Sequence, residues 1–129
     1  MIRYFLLAVN LISLVLCTTG YILNIGWYRF LFGIVLVPAI IIHYVIHFSF
    51  AFKTLKTKTI WYSCLSNLAL IIALALFPDV SDAPGEYAVF GLYKNPPEFF
   101  WTIAQASFVT SIVLTVMAIT SAKASKREN

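Results

Sequence analysis

Residues 30–52 read FLFGIVLVPAIIIHYVIHFSFAF, from Phe30 to Phe52, without one Asp, Glu, Lys or Arg. As a helix rising 1.5 Å per residue, this run reaches about 35 Å, enough to cross a hydrocarbon core of about 30 Å. It is rich in Ile, Val and Phe, which favour strands in water. In hydrocarbon, however, a backbone must satisfy its own hydrogen bonds, so a long apolar run becomes a helix regardless of that preference. Three more runs read the same way: Tyr4–Leu23, Ile60–Phe77 and Phe99–Ser121. All nine Lys and Arg and all five Asp and Glu of the 129-residue chain fall between or beyond the four runs. The chain is 61% hydrophobic before its glycines are counted, against about 45–50% with Gly included for a soluble domain.

This distribution argues against a soluble globule, a disordered chain, a disulfide-stapled secreted domain and a nucleic-acid binder. A transmembrane barrel is excluded too, because no ten-residue alternation of apolar and polar residues recurs. The expected fold is all-α. It is a polytopic membrane protein whose single domain, 1–129, has four transmembrane helices (4–23, 30–52, 60–77 and 98–121) in an antiparallel bundle. Trp27, Tyr28, Trp61, Tyr62 and Trp101 lie at span edges, the headgroup level that amphipathic rings prefer. Asn95-Pro96-Pro97-Glu98 reads as a helix start, with Asn95 as the cap.

Arg3, Lys53, Lys56, Lys58, Lys123, Lys126 and Arg127 fall on one side of the spans, and only Arg29 and Lys94 on the other. The positive-inside rule then puts both termini and the loop after Phe52 in the cytoplasm. Asp79, Asp82, Glu86 and Glu98 fall outside. Short connections and this charge bias point to a bacterial inner (plasma) membrane, with a multi-pass, N-in/C-in chain. The start of the chain also has a signal-peptide look, but no small-x-small site follows its apolar stretch and Leu16 is too bulky before a lipoprotein cysteine, so a retained first helix is expected. The outer loop 78–97 contains six helix breakers, Pro78, Pro84, Gly85, Gly91, Pro96 and Pro97. Its acidic residues read as a solvated, orientation-setting segment, since their spacing fits no calcium loop. The polar tail after Ser121 is expected to fray.

Helices associate in lipid where small side chains let backbones approach. Ala104, Ser107, Ser111, Thr115 and Ala118 make such a stripe on span four. Asn10, Ser13, Cys17 and Gly20 share one face of span one, and Ser66, Ala69 and Ala73 one face of span three. Pro38, in the middle of span two, removes a backbone hydrogen bond and is expected to kink the helix. Gln105 is expected to make an interhelical hydrogen bond. Cys17 and Cys64 lie about 21 and 9 Å above the inner boundary, too far apart in depth to pair.

His43 and His47 are the ionisable residues of the spans, and four residues of spacing puts them on one helix face. Counted from Lys53 they lie about 15 and 9 Å from the inner boundary. Asn10, Ser13, Ser63, Asn67, Ser111 and Thr115 map to similar depth, so every helix contributes to one inner-leaflet polar layer. Such a layer has two readings. Its members can tie the helices together, or the imidazoles can bind a metal, a pigment or a proton in transit.

A haem held by two His needs them on opposite faces of the ring, which one i, i+4 pair cannot supply. The layer holds no third His and no carboxylate for a metal, and no carboxylate orients a His for nucleophilic catalysis. No enzyme activity, metal or cofactor is therefore expected. The leading expectation is a non-catalytic accessory, regulatory or protective subunit whose partners are the bilayer and either another membrane protein or a second copy. The alternatives are a small transporter or channel with His43 as proton-coupling residue, and a metal- or pigment-binding redox subunit using His43 and His47.

Overall fold

The computed structural model describes residues 2–23, 26–80 and 86–127. Four helices, each long and apolar enough to cross a membrane, carry the fold: α1 (Ile2–Leu23), α2 (Trp27–Phe50), α3 (Thr57–Leu76) and α4 (Phe99–Arg127). Between α3 and α4 lie three short strands, β1 (Asp79–Val80), β2 (Glu86–Ala88) and β3 (Tyr93–Lys94). They form one antiparallel sheet in the order β1-β2-β3, with Asp79 opposite Tyr87 and Tyr87 opposite Lys94. The all-helical expectation thus holds for the spans, and the connection between α3 and α4 adds a small sheet.

The helix boundaries differ from those expected, for one physical reason. A span ends where hydrocarbon ends, but a helix ends where its hydrogen bonding ends. α1 reaches back to Ile2, α3 to Thr57, and α4 runs on through Arg127, so the expected frayed tail is helical as far as the structure describes it. α2 begins three residues early, at Trp27, and encloses Arg29. The expectation that no charge lies within a span is therefore corrected: Arg29 falls inside α2, and Arg3, Lys58 and Lys123 fall inside the extended ends of α1, α3 and α4. α2 continues across Pro38.

The helices bury narrow faces and leave the rest apolar and exposed, as a bilayer solvent requires. α1 buries Leu6, Asn10, Ser13, Cys17 and Gly20, spaced by three and four. α3 is the central helix and buries a face from Thr59 to Leu74. α4 lies along it with the small-residue stripe inward: Ala104, Ser111, Thr115 and Ala118 are buried and Ser107 is half-buried. Hydrogen bonds pair Thr59 with Ser121 and Ser66 with Ser111, so numbering rises along α3 as it falls along α4. α2 buries only Arg29 and its last two turns, at His43, Tyr44, His47 and Phe50.

The sheet folds back onto the helix ends. Val89 donates its N–H to the Ala75 carbonyl in the last turn of α3, at 2.7 Å. Val89, Phe90 and Gly91 all have positive φ (50°, 59° and 75°), a conformation unfavourable for Val and Phe. The turn places the Phe90 ring against Gly20, where a Cβ would lie 3.2 Å from Phe90 Cε1. Asn95, expected to cap α4, instead has φ 53° and gives its N–H to the Glu86 carbonyl. It closes the sheet, and α4 starts four residues later.

Candidate functional site

Two polar clusters lie inside the bundle, one at each end of α2. The first is built on His43 and His47, whose ring centroids are 4.2 Å apart. His47 is fully buried: Nδ1 lies 2.6 Å from Ser63 Oγ and Nε2 lies 3.1 Å from Thr115 Oγ1. His43 Nε2 lies 3.2 Å from Asn67 Oδ1, and its Nδ1 lies 3.4 Å from the same Thr115 hydroxyl. The Asn67 amide donates to Asn10 Oδ1 and to the Ser63 carbonyl. Asn10 in turn donates to the His47 carbonyl at 2.9 Å, one of the last four carbonyls of α2, which no intrahelical N–H can reach. Ser13 shares a 2.8 Å hydrogen bond with the Tyr44 hydroxyl, and the Tyr44 ring meets His43 edge-on.

The structure therefore brings together His43, His47, Asn10, Ser63, Asn67, Ser111 and Thr115, with Ser13 attached through Tyr44. Ser66 belongs as well, although its sequence position reads only as packing. It bonds the Ser111 carbonyl, the Ser111 hydroxyl and the Thr115 hydroxyl. Tyr44 is a further member that depth counting did not single out, and the Thr59–Ser121 pair adds a separate bond between α3 and α4. Their signal was present, since Tyr44 adjoins His43 and Thr59 lies one turn before Ser63.

Counting protons fixes the direction of these bonds. Because the Asn67 amide nitrogen faces Asn10 and the Ser63 carbonyl, its oxygen faces His43, and His43 Nε2 carries the proton. Ser66 gives its proton to the Ser111 carbonyl and Ser111 gives its own to the Ser66 carbonyl. The 2.8 Å contact between Ser66 and Thr115 then needs the Thr115 proton. Thr115 accepts from His47 Nε2, and Ser63 donates to His47 Nδ1. One acceptor is left over. His43 Nδ1 faces a Thr115 oxygen whose only proton is already given to Ser66. Both nitrogens of His47 are engaged by protein hydroxyls, so a metal or pigment ligand would have to displace them.

The second cluster was not visible in the sequence pattern. Arg29 is 1% exposed. Its Nη1 donates to the Gly20 and Tyr21 carbonyls near the end of α1, and its Nη2 to Leu74 and Phe77 at 2.6 and 2.9 Å at the end of α3. Asp79, the first residue of β1, is 2% exposed, which corrects the reading of that loop as solvated. It takes the N–H groups of Tyr28 and Arg29 at 3.0 Å each, and Oδ2 lies 3.7 Å from Arg29 Nε. A cation thus sits on two helix C-termini and an anion on a helix N-terminus, where the helix dipoles favour each. Arg29 Nε alone has no hydrogen-bond partner among the buried side-chain atoms of the described residues. The signal that could have found this pair is an Arg as the third residue of one helix and an Asp just beyond the end of another, at the same level of the bundle. Glu86 is half-buried in β2, and Asp82 lies outside the described residues.

An apolar layer separates the clusters. Cys17, Tyr44, Leu70 and Leu74 form a buried group, with Leu36, Ile40 and Phe108 packed around it. Cys17 and Cys64 are both free thiols. Along its exposed middle, α2 borders two apolar grooves. One, of about 700 Å³, is shared with α1 and includes Leu14, Val37 and Ile41. The other, of about 470 Å³, is shared with α3 and α4 and includes Phe32, Trp101, Gln105 and Phe108. Gln105 is exposed and lines the second groove, and the interhelical bond expected for it is not made among the described residues. Among the described residues no three His, Cys, Asp or Glu side chains come together. No family of known proteins, no curated protein and no solved structure matches the chain.

Proposed function

We propose that this chain is a small, non-catalytic accessory, regulatory or protective membrane subunit that acts through helix–helix contacts. It sits in a plasma membrane as an antiparallel bundle with both termini in the cytoplasm. One observation carries the reading: the polar interior is spent on itself. Apart from His43 Nδ1, the His–Asn–Ser network is satisfied by protein groups, the Arg29–Asp79 pair is held on helix ends, and the Cys17–Leu70–Leu74 layer lies between them. What the chain offers its surroundings is apolar helix surface. The orientation is supported by the burial of Arg29 against Asp79, which leaves Lys94 as the outer cation set against seven inner ones.

The test is recovery from membranes in mild detergent. Co-purification of one defined membrane protein, with no flux when the chain alone is placed in liposomes, is the expected result. Recovery only as a self-assembly that transports in liposomes would overturn the proposal.

A second reading, a proton-coupled transporter, rests on His43. Its Nδ1 is the acceptor left without a donor, so an added proton there would complete the contact to Thr115 Oγ1. This reading expects pH-dependent flux in liposomes that disappears in His43→Ala. Flux unchanged by that substitution rejects the role.

A further inference from the structure

Basic residues that lie in three separate segments of the sequence are gathered at one end of the bundle, where α1 starts and α4 ends. Arg3, in the first turn of α1, holds its guanidinium 4.6 Å from the centre of the Phe52 ring, just past α2. Lys53 follows Phe52, and Lys56 and Lys58 straddle Thr57, the first residue of α3. The 2.7 Å hydrogen bond between Thr59 and Ser121 fixes that start beside the stretch of α4 that carries Lys123. The described carboxylates, Asp79, Glu86 and Glu98, all lie at the opposite end, between α3 and α4. Glu128 lies outside the described residues.

These cations have no anion among the described residues. Arg3, Lys58 and Lys123 are exposed and make no hydrogen bond or ion pair there. The Lys53 ammonium reaches the Ser49 hydroxyl, at 3.4 Å. At the opposite end the two cations are provided for: Arg29 is buried beside Asp79, and Lys94 lies over the Tyr87 ring in the sheet that holds Glu86. The unpaired charges also have apolar neighbours. Phe52, beneath Arg3, is 64% exposed. Trp61 is 62% exposed and follows Lys58 by three residues, which puts both on one face of α3. A soluble anion would engage the charges and leave the rings bare. A lipid of the adjoining leaflet engages both, through a phosphate at the cations and acyl chains along the rings. Clustered Lys and Arg at the ends of membrane helices attract anionic headgroups in this way.

We propose that this end of the bundle is a binding surface for anionic phospholipid, with headgroup phosphates at Arg3, Lys58 and Lys123 and acyl chains against Phe52 and Trp61. The inference is independent of the accessory reading above, since a subunit and a transporter can both carry such a surface.

Trp61 is a built-in reporter. Trp27→Phe and Trp101→Phe leave it as the sole tryptophan of the full-length chain, which is placed in vesicles of phosphatidylcholine and phosphatidylglycerol with bromine on the chains of one lipid at a time. At equal mole fraction, brominated phosphatidylglycerol should quench Trp61 as though about 5-fold enriched, the effect of one cation near the surface. Arg3→Gln, Lys58→Gln and Lys123→Gln together should bring the two lipids close to equality, whereas Lys94→Gln should change nothing. The three cations are exposed, so their loss does not threaten the fold. A chain that keeps Trp101 alone should be quenched equally by both lipids. Soluble glycerol phosphate at millimolar concentration should leave the enrichment intact. The unsubstituted chain, released from mixed micelles in a mass spectrometer, should retain phosphatidylglycerol over phosphatidylcholine. Equal quenching of Trp61 by both lipids, a preference that survives the triple substitution, the same preference around Trp101, or displacement by glycerol phosphate would each overturn the proposal.

Discussion

The two ends of α2 solve the same problem in opposite ways. At His43 and His47 the polar groups are neutral, numerous and shared: Asn10, Ser63, Asn67, Ser66, Ser111 and Thr115 each make modest bonds from the three helices around α2. At Arg29 the groups are charged and few, and one guanidinium with one carboxylate ties α1, α2, α3 and β1. A neutral network loses a bond at a time. A buried ion pair that loses one partner leaves a bare charge. Damage should therefore be graded at the first end and abrupt at the second.

Unfolding of the purified protein in detergent, followed by heat or by SDS titration, separates these behaviours. The largest effect is expected at the clasp. Asp79→Ala strands the Arg29 guanidinium and two backbone donors, and should cost about 3–5 kcal/mol; a loss below about 1 kcal/mol would mean that helix-end carbonyls alone hold Arg29. Next comes Asn67→Leu, which removes interhelical bonds to His43 and Asn10 and a bond to the Ser63 carbonyl of its own helix and should cost a little over 1 kcal/mol, at about 0.6 kcal/mol per interhelical bond. His47→Leu removes two side-chain bonds and should cost about 1 kcal/mol on the same scale. The smallest change is expected for Thr59→Val, which loses the single contact to Ser121 and about 0.5 kcal/mol. If the last three fall together at the cost of the first, the inner network is as cooperative as the clasp and the contrast between the two ends disappears.

The same contrast explains what could be read from the sequence. The spans were legible because charge is excluded from hydrocarbon, and the common level of the histidine layer because helix rise is constant. The helix faces followed from spacings such as Asn10, Ser13 and Cys17. Arg29 and Asp79 were not legible, because a charge beside an apolar run is ordinarily the mark of its end. Here the two charges neutralise each other on helix termini and are folded inward, so the run's edge and the helix's edge no longer coincide. Asn95 misled in a related way. A residue suited to cap a helix is equally suited to a left-handed turn, and the hydrogen bond to Glu86 decided between them.

Pro38 acquires a mechanical meaning from where α2 is held. The helix is pinned at Arg29 and again at His43, fourteen residues or about 21 Å apart, and between the pins it is exposed on most sides. It is in effect a strut with fixed ends. A bilayer that thins or thickens loads such a strut along its length, and the load is relieved where the backbone ladder lacks a rung, at the unbonded carbonyl of Ile34 opposite Pro38. Under such a load the bend of α2 would fall at Pro38, while the two pinned ends would stay in register.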